Sequence, residues 1–387
     1  MNKKILITGA TGFLGSNLMM RILKNESQTN LVLLIRARSD DEAKNRINMI
    51  LKKMITNENF ERLLSRVEIL KGNIIDEKLG LSNSTYERIS RETTHIIHSA
   101  ASVKLNMNLE DARNVNCNGT KNIISFAKCA NKFGVLERLG HISTAYVAGN
   151  RTGTIYEDEF AEEQKFANTY EQTKFEAEQL VREYISELPI TIFRPSIIVG
   201  DSNTGATTSF NVLYSPLRLI YHGYLKMISG FRNTPMDVVS VDFVADSVSQ
   251  ILLHSRNGIG KTFHLTAGKG NTMTAGEIID EAVEYFNQRG INTSNSEVEF
   301  CPPNLFKNAA KQLCDEAGLI IIVGKLYEAY VSIMRFFDNN KTLNELRDTL
   351  IKPKPLNIYY NNLLAYCVNT EWGKREMQVA QSITEKI

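Results

Sequence analysis

Residues 4–15 read KILITGATGFLG. An apolar stretch over residues 4–8 is followed by three glycines, Gly9, Gly12 and Gly15, and by an apolar-periodic segment from about Phe13 to Lys24. The first piece has the continuous hydrophobicity of a strand covered on both faces, and the last has the period of a helix. Between them, missing side chains permit a sharp turn and a close approach of backbone to a pyrophosphate. The helix start behind the turn offers free N–H groups and the positive end of a dipole. A glycine pattern alone is weak evidence, and this GxxGxxG spacing differs from the commonest GxGxxG fingerprint. Its place between a clear strand and a clear helix gives it meaning. The segment reads as a dinucleotide cradle, with Gly9, Thr11, Gly12, Phe13, Leu14 and Gly15 against the ligand.

Outward from this turn, strand-like and helical stretches alternate. Residues 31–35 (LVLLI) form a second apolar run, and Asp40 to Ile55 puts Ala43, Ile47, Ile50, Leu51 and Met54 on one stripe. Further strands are expected at Val67–Leu70, Thr94–His98, Leu139–Ser143 and Ile190–Phe193, with helices inside Glu110–Phe133 and over Thr169–Glu187. Such alternation predicts an α/β, Rossmann-like, doubly wound parallel sheet with its ligand at the carboxyl ends of the strands. The pattern weakens after about Gly200. Strand-like pieces return near Val238–Val241 and Thr262–Thr266, and from about Asn271 the chain is mainly helical. Residues 1–200 plus about 236–267 are expected to form the cofactor-binding domain. Residues from about 201–235 and 268–387 are expected to form a smaller, mainly helical C-terminal substrate lobe.

A chain of 387 residues can bury a core in each part. With 43% apolar and 23% charged residues and a net charge of +2, the composition is that of a soluble globular protein, and nucleic acid is not expected as a partner. The five cysteines, Cys117, Cys129, Cys301, Cys314 and Cys367, are scattered and fit reduced thiols in a cytosol. The six histidines form no zinc motif, so no metal is expected; His95 and His98 fall on opposite faces of a strand and read as structural. The first strand begins at Lys3 or Lys4, which leaves no room for a signal or transit peptide. The late apolar run Leu319–Val323 is far short of the ~20 residues of a membrane span. A cytoplasmic protein without a transmembrane segment is expected.

The end of the second strand bears on the cofactor. An NAD enzyme typically has Asp or Glu there for the ribose 2′-OH, whereas this chain reads Ile35-Arg36-Ala37-Arg38. Two guanidinium groups suit a 2′-phosphate, so NADP(H) is the expected cofactor. Further along, Tyr170 and Lys174 lie one helical turn apart on a stripe continued by Ala177, Leu180, Val181, Tyr184 and Ile185. A lysine on an inward stripe is costly unless it has a partner or a task. Ser143 and Thr144, in His141-Ile-Ser-Thr-Ala-Tyr146, sit where the fifth strand ends, either as strand-end caps or as hydroxyls sharing a substrate oxygen with Tyr170. Charge then divides the labour. Lys174 holds the nicotinamide ribose and lowers the Tyr170 pKa, Tyr170 gives a proton to the oxygen that turns negative, and Thr144 donates to the same oxygen.

These residues resemble the extended short-chain dehydrogenase/reductase superfamily, most closely its thioester reductase and fatty acyl-CoA reductase branch. The resemblance runs from residue 3 to about 270, and more loosely to the C-terminus. Lys71-Gly72-Asn73-Ile74 and Leu79-Gly80-Leu81-Ser82 resemble the stretch after strand three; it implies adenine contacts at Asn73 and Ile74, with Asn73 where the family usually has Asp. Ile97-His98-Ser99-Ala100-Ala101 implies Ala100 and Ala101 beneath the cofactor. Asn116, in Asn114-Val-Asn-Cys-Asn-Gly-Thr120, matches an asparagine implied to support a proton-relay water near the lysine. His141 to Val147 is similar to the branch's strand-five motif, with Thr144 as the implied catalytic hydroxyl. Phe193 to Gly200 implies Pro195 and Ser196 beside the nicotinamide. Met236 to Asp242 resembles a segment beside the substrate lobe, and Met334 to Asp338 with Asn339 and Asn340 looks like the C-terminal region of fatty acyl reductases. Gly200-Asp201-Ser202 superficially looks like a carrier protein's phosphopantetheine serine and reads as loop.

The resemblance implies NADPH-dependent reduction of an acyl thioester, supplied as an acyl-CoA or by an acyl carrier protein in trans, to an aldehyde. A second hydride would give the alcohol. Thr144 and Tyr170 would stabilise the hemithioacetal oxygen, and its collapse would expel a thiolate. Two alternatives stay open. One is a sugar-nucleotide epimerase or dehydratase, or a small-carbonyl reductase, on the same scaffold. The other is a non-catalytic NADP-binding sensor or scaffold protein. Arg36 and Arg38 speak against an epimerase that recycles NAD, and the inward lysine with its paired hydroxyls speaks against a pure binder. In the tail, the stripe Leu326–Phe337 fits core or a homodimer contact better than a lipid channel.

Overall fold

The structure, a computed structural model, describes residues 3–54, 57–210, 212–291, 298–312 and 327–374. In chain order the first half contains β1 (Lys4–Thr8), α1 (Phe13–Asn25), β2 (Asn30–Ile35), α2 (Asp40–Met54), α3 (Asn57–Leu64), β3 (Val67–Lys71), α4 (Asn83–Glu92) and β4 (His95–His98). A long helical segment follows, made of α5 (Leu109–Arg113), a π-helical turn (Asn114–Asn118) and α6 (Gly119–Lys132). Then come β5 (Arg138–Ile142), the short β6 (Gly153–Ile155), α7 (Thr169–Arg182) and β7 (Ile190–Pro195).

Six of these strands join a later one, β12 (Thr262–Leu265), in a seven-stranded sheet of order β12-β7-β5-β4-β1-β2-β3. Every pairing in it is parallel. Strand residues such as Ile5, Leu6, Ile7, Val32 and Leu33 are fully buried, because helices cover both faces. On one face lie α1 and α2, the latter burying Ala43, Ile47 and Leu51 at helical spacing, together with α9 (Val241–His254). On the other face α4, α6 and α7 close a second core around Ile96, Phe126, Leu139 and Ile190. The strand order reverses between β1 and β4, and the crevice at such a switch point is where ligands bind in open α/β sheets.

The remaining elements are β8 (Ile197–Val199), α8 (Tyr214–Tyr221), β9 (Met227–Ser229), β10 (Pro235–Met236), β11 (Val238–Ser240), β13 (Met273–Thr274), α10 (Ala275–Asn287), β14 (Glu299–Cys301), α11 (Pro303–Gln312), β15 (Arg335–Phe337) and the helices Asn340–Glu345 and Leu356–Asn369. Helices dominate this part, but four two-stranded pairs stitch it together: β8 with β11, β9 with β14, β10 with β13, and β6 with β15. Its core draws on Tyr214, Leu217, Phe286, Tyr359 and Tyr360, and also takes in Tyr146 and Ile155 from the first half.

Two local expectations need correction, and one helix was not anticipated. Helix α7 ends at Arg182 and not at Glu187, with residues 183–187 in turns. Helix α9 escapes a periodicity search because Val241, Phe243, Val244, Val248, Ile251 and Leu252 bury nearly its whole circumference and leave no stripe. The stretch Leu326–Phe337 is not one amphipathic helix. Leu326 lies outside the described residues, and Arg335–Phe337 is a strand paired with Gly153–Ile155. A short aromatic run is ambiguous between strand and helix until its neighbour is known.

Candidate active site

The glycine turn is shaped by contact as much as by conformation. Gly9 holds φ +75°, and a Cβ on it would sit 2.7 Å from the Ala100 nitrogen, so β1 and β4 approach backbone to backbone at the switch point. A Cβ on Gly15 would lie 2.1 Å from the Gly9 carbonyl oxygen, which locks α1 beneath the turn. Gly12 is the N-cap of α1 and supplies no side-chain hydrogen bond, so the N–H groups at the helix start remain available to an anion. This is a cradle that side chains would fill, and it fits a dinucleotide pyrophosphate.

A cleft of about 510 Å³ runs from this turn across the strand ends. It is lined by Gly9, Thr11, Gly12, Phe13, Leu14 and Gly15 at one end and by Thr144, Tyr170, Lys174, Pro195 and Ser196 further along, with Ala101 between. Asn168 caps α7 by accepting the Glu171 N–H at 2.9 Å. The cap fixes where the helix begins, and so where Tyr170 and Lys174 project. Thr144 ends β5. Its hydroxyl accepts the Tyr146 N–H at 3.3 Å, as a strand-end cap would, and also hydrogen-bonds the Tyr170 phenol. One hydroxyl thus caps the turn after β5 and lies within hydrogen-bond reach of the Tyr170 phenol.

Lys174 is buried and donates from Nζ to the Ile142 carbonyl at 2.6 Å. Burial brings its pKa down to about 8, although Glu178 one turn along raises it. Burial also pushes the Tyr170 phenol up to about 12, against the Thr144 hydrogen bond. The expected lowering of the Tyr170 pKa by Lys174 is not found: desolvation of the phenolate is the largest influence on it, and the ammonium is engaged with the Ile142 carbonyl. Behind the lysine, His98 and His141 pair across β4 and β5 with ring centroids 5.6 Å apart. Burial, reinforced by the Lys174 charge, brings His98 down to about 3 and His141 well below its ordinary value.

Residues 7–248 match the male sterility protein family of NAD-binding domains. The chain belongs to this family. The probable fatty acyl-CoA reductase 5 of Arabidopsis thaliana is 26% identical over 374 residues, covering 78% of this chain and 75% of that protein. The fatty acyl-CoA reductase wat of Drosophila melanogaster is 27% identical over 278 residues, 64% of this chain and 53% of that protein, so the chain spans about half of that relative's length. The terminal R domain from the myxalamid PKS-NRPS biosynthetic pathway shares the fold, with a TM-score of 0.80 at 24% identity over 96% of this chain and 91% of that one. This male sterility family chain is an NAD(P)-dependent oxidoreductase.

Not every expected residue of the male sterility family chain reaches the cleft. Arg36 and Arg38 are exposed beyond β2, and Asn73, Ile74, Ala100 and Asn116 do not line it. Ala100 packs under Gly9 instead, and Ile74 is buried against Gly119. Asn116 lies in the π-helical turn. It accepts the Ser102 N–H at 2.7 Å and donates to the Ser102 carbonyl at 3.2 Å and to Thr173 Oγ1 at 2.9 Å, while its own carbonyl takes the Thr120 hydroxyl at 2.6 Å. Those contacts run to the loop after β4 and to α7, not to the lysine.

Two participants went unread in the sequence. Arg46 donates to the Arg36 carbonyl at 2.6 Å and to Thr11 Oγ1 at 2.9 Å, tying α2 to the glycine turn. Its place on the exposed flank of a stripe was the only available signal. Glu178 is fully buried and accepts from the Ser143 hydroxyl at 2.6 Å and from Arg194 Nη2 at 2.6 Å. Burial would raise its pKa, but the Arg194 guanidinium brings it down to about 2. Its spacing of four from Lys174 put it on the inward stripe, where an acid should have raised the same question as the lysine.

Proposed function

We propose that this chain reduces an acyl thioester with NADPH to the aldehyde, and by a second reduction to the alcohol. The observation that carries the reading is the single cleft that joins the uncapped start of α1 to the Thr144–Tyr170 hydrogen bond and the buried Lys174. Gly9, Gly12 and Gly15 would hold the pyrophosphate, Pro195 and Ser196 would border the nicotinamide, and Lys174 would hold its ribose. NADPH, when bound, supplies hydride.

The protein's part is to position the thioester and manage its oxygen. A phenol held near 12 stays protonated at neutral pH, which is the state a proton donor needs. Tyr170 and Thr144 both donate to the carbonyl oxygen as it gains negative charge, and Tyr170 delivers the proton. Ser143 is committed to Glu178, so Thr144 is the catalytic hydroxyl. Asn116 takes a positioning role, pinning the loop after β4 to Thr173 on the helix that carries Tyr170.

The preference for NADPH rests on Arg36 and Arg38 beyond β2, with Arg46 bridging Arg36 to Thr11. The same cations speak against the epimerase reading, and a buried lysine with paired hydroxyls speaks against a pure binder. Purified protein mixed with an acyl-CoA series should consume NADPH faster than NADH. Tyr170→Phe should lower kcat by about 100-fold or more while retaining NADPH binding. Equal rates in the two proteins would refute the role of Tyr170.

A further inference from the structure

Behind the cleft wall at Pro195 and Ser196 stands a buried acid, Asp237, in the link between β10 and β11. Its carboxyl accepts the N–H groups of Ala267 at 2.8 Å and Gly268 at 3.3 Å, just past β12. Its backbone carbonyl accepts the Ile197 N–H at 3.3 Å, at the start of β8. Three strand ends are thereby fastened together. Among the described residues no basic side chain pairs with this carboxyl, and burial pushes its pKa up to about 6 against the two N–H groups and Ser196. Ser196 lies beside it and lines the cleft. Ser196 is 7% exposed, and no described group completes a hydrogen bond to its hydroxyl.

Fastening strand ends needs only a hydrogen-bond acceptor, which a neutral amide supplies. A carboxylate adds a charge, and a charge buried without a counter-ion costs free energy. The group that would offset this cost belongs on the other side of Ser196. Hydride transfer to a carbonyl carbon, with Tyr170 protonating the oxygen, leaves one positive charge on the nicotinamide ring. The Lys174 ammonium in the same cleft opposes that charge, so a negative partner matters more. We propose that the Asp237 carboxylate, acting across Ser196, is a positioning residue that favours the positively charged, oxidised ring over the reduced one and so assists hydride departure. The inference rests on the placement of that ring beside Pro195 and Ser196, and not on the identity of the carbonyl substrate. A unit charge one side chain away in a protein interior is worth roughly tenfold in an equilibrium. The Ser196 hydroxyl is the polar group left to meet the carboxamide of the ring.

The test is the ratio of the NADP+ and NADPH dissociation constants, read without turnover by titrating NADPH fluorescence and displacing it with NADP+. Both forms carry the same phosphates, so a general loosening of the cleft leaves the ratio unchanged. Asp237→Asn, which keeps an acceptor for the strand ends, should raise the ratio about tenfold. In wild type the ratio should climb toward the same value as pH falls from about 7 to about 5, and it should stay flat in the variant. The wild-type series serves alone should Asp237→Asn fail to fold. The phenols of Tyr146 and Tyr359, which feel this carboxyl, are pushed well up by burial, and in the cleft Tyr170 is up at about 12 and Lys174 at about 8, so all four keep their charge state over that range. An unchanged ratio in Asp237→Asn, or a wild-type ratio indifferent to pH, would overturn the inference. Ring placement is tested apart. Ser196→Phe should weaken NADPH at least about tenfold more than 2′-phospho-ADP-ribose, which has no nicotinamide. Equal weakening would sink the placement and the inference with it, whereas unequal weakening with an unchanged Asp237→Asn ratio would sink the inference alone.

Discussion

Lys174 shows how one buried group couples catalysis to pH. Burial brings its pKa from 10.5 to about 8, so the ammonium proposed to hold the ribose is present below about 8 and is lost as pH rises through that value. We expect kcat/KM for NADPH oxidation to fall above about pH 8, and Lys174→Met to be slow with that limb gone. Stability runs in the other direction. Between about 8 and 10.5 the unfolded chain holds the proton that the folded chain has released, so this group's contribution grows with pH across that window and is lost as pH falls through about 8. Urea midpoints of wild type and Lys174→Met should therefore shift relative to one another across the window, wild type gaining on the variant from about pH 8 to 10.5. Parallel curves would show that the lysine is not buried as described.

Helix α7 is positioned by charge as well as by packing. Glu178 joins it to β7 through Arg194, to β5 through Ser143, and to its own next turn through Arg182, whose guanidinium also reaches Thr262 on β12 at 2.9 Å. Arg194 is 1% exposed, so removing its carboxylate strands a buried cation. Glu178→Ala should cost about 3–5 kcal/mol in denaturant unfolding. Because the same helix carries Tyr170 and Lys174, any folded Glu178→Ala protein should also show a reduced kcat. The π-helical turn at Asn114–Asn118 acts on the opposite side of α7. It swings Asn116 toward Thr173, and such single-turn irregularities often mark functional helices.

Across the whole molecule, late residues complete an early site. Strand β15 pairs with β6, and Arg335, buried, donates to the Gly149 carbonyl and to the Ala329 carbonyl while its guanidinium lies 4.9 Å from the Tyr146 ring centroid. Glu157 makes a second fastening, accepting the N–H groups of His264, Lys341 and Thr342. Through these ties the segment that carries Tyr330, a residue of the cleft lining, is held against the mouth of the cleft. Arg335→Ala should therefore cost about 3 kcal/mol by urea unfolding and should raise KM for the acyl substrate more than for NADPH. An equal rise in both constants would place Arg335 in general stability alone. Among the described residues no helix is long and apolar enough to cross a membrane.

The sheet, its cradle and its inward tyrosine and lysine could be read from residue order, because each is written in local terms: continuous apolar runs, glycines between a strand and a helix, and a spacing of four on a buried stripe. The hidden parts depend on residues far apart in the chain. Helix α9 carries no stripe because neighbours surround it, and Glu178 gains its meaning from Arg194 on another element. The Tyr170 pKa turned on burial rather than on the nearest charge. An apolar cavity in the second lobe is assembled from α8, β9, β10, α10 and Tyr330, pieces whose individual patterns say only that they bury something. Periodicity records which face of an element leaves water; what that face meets is settled only when the elements pack together.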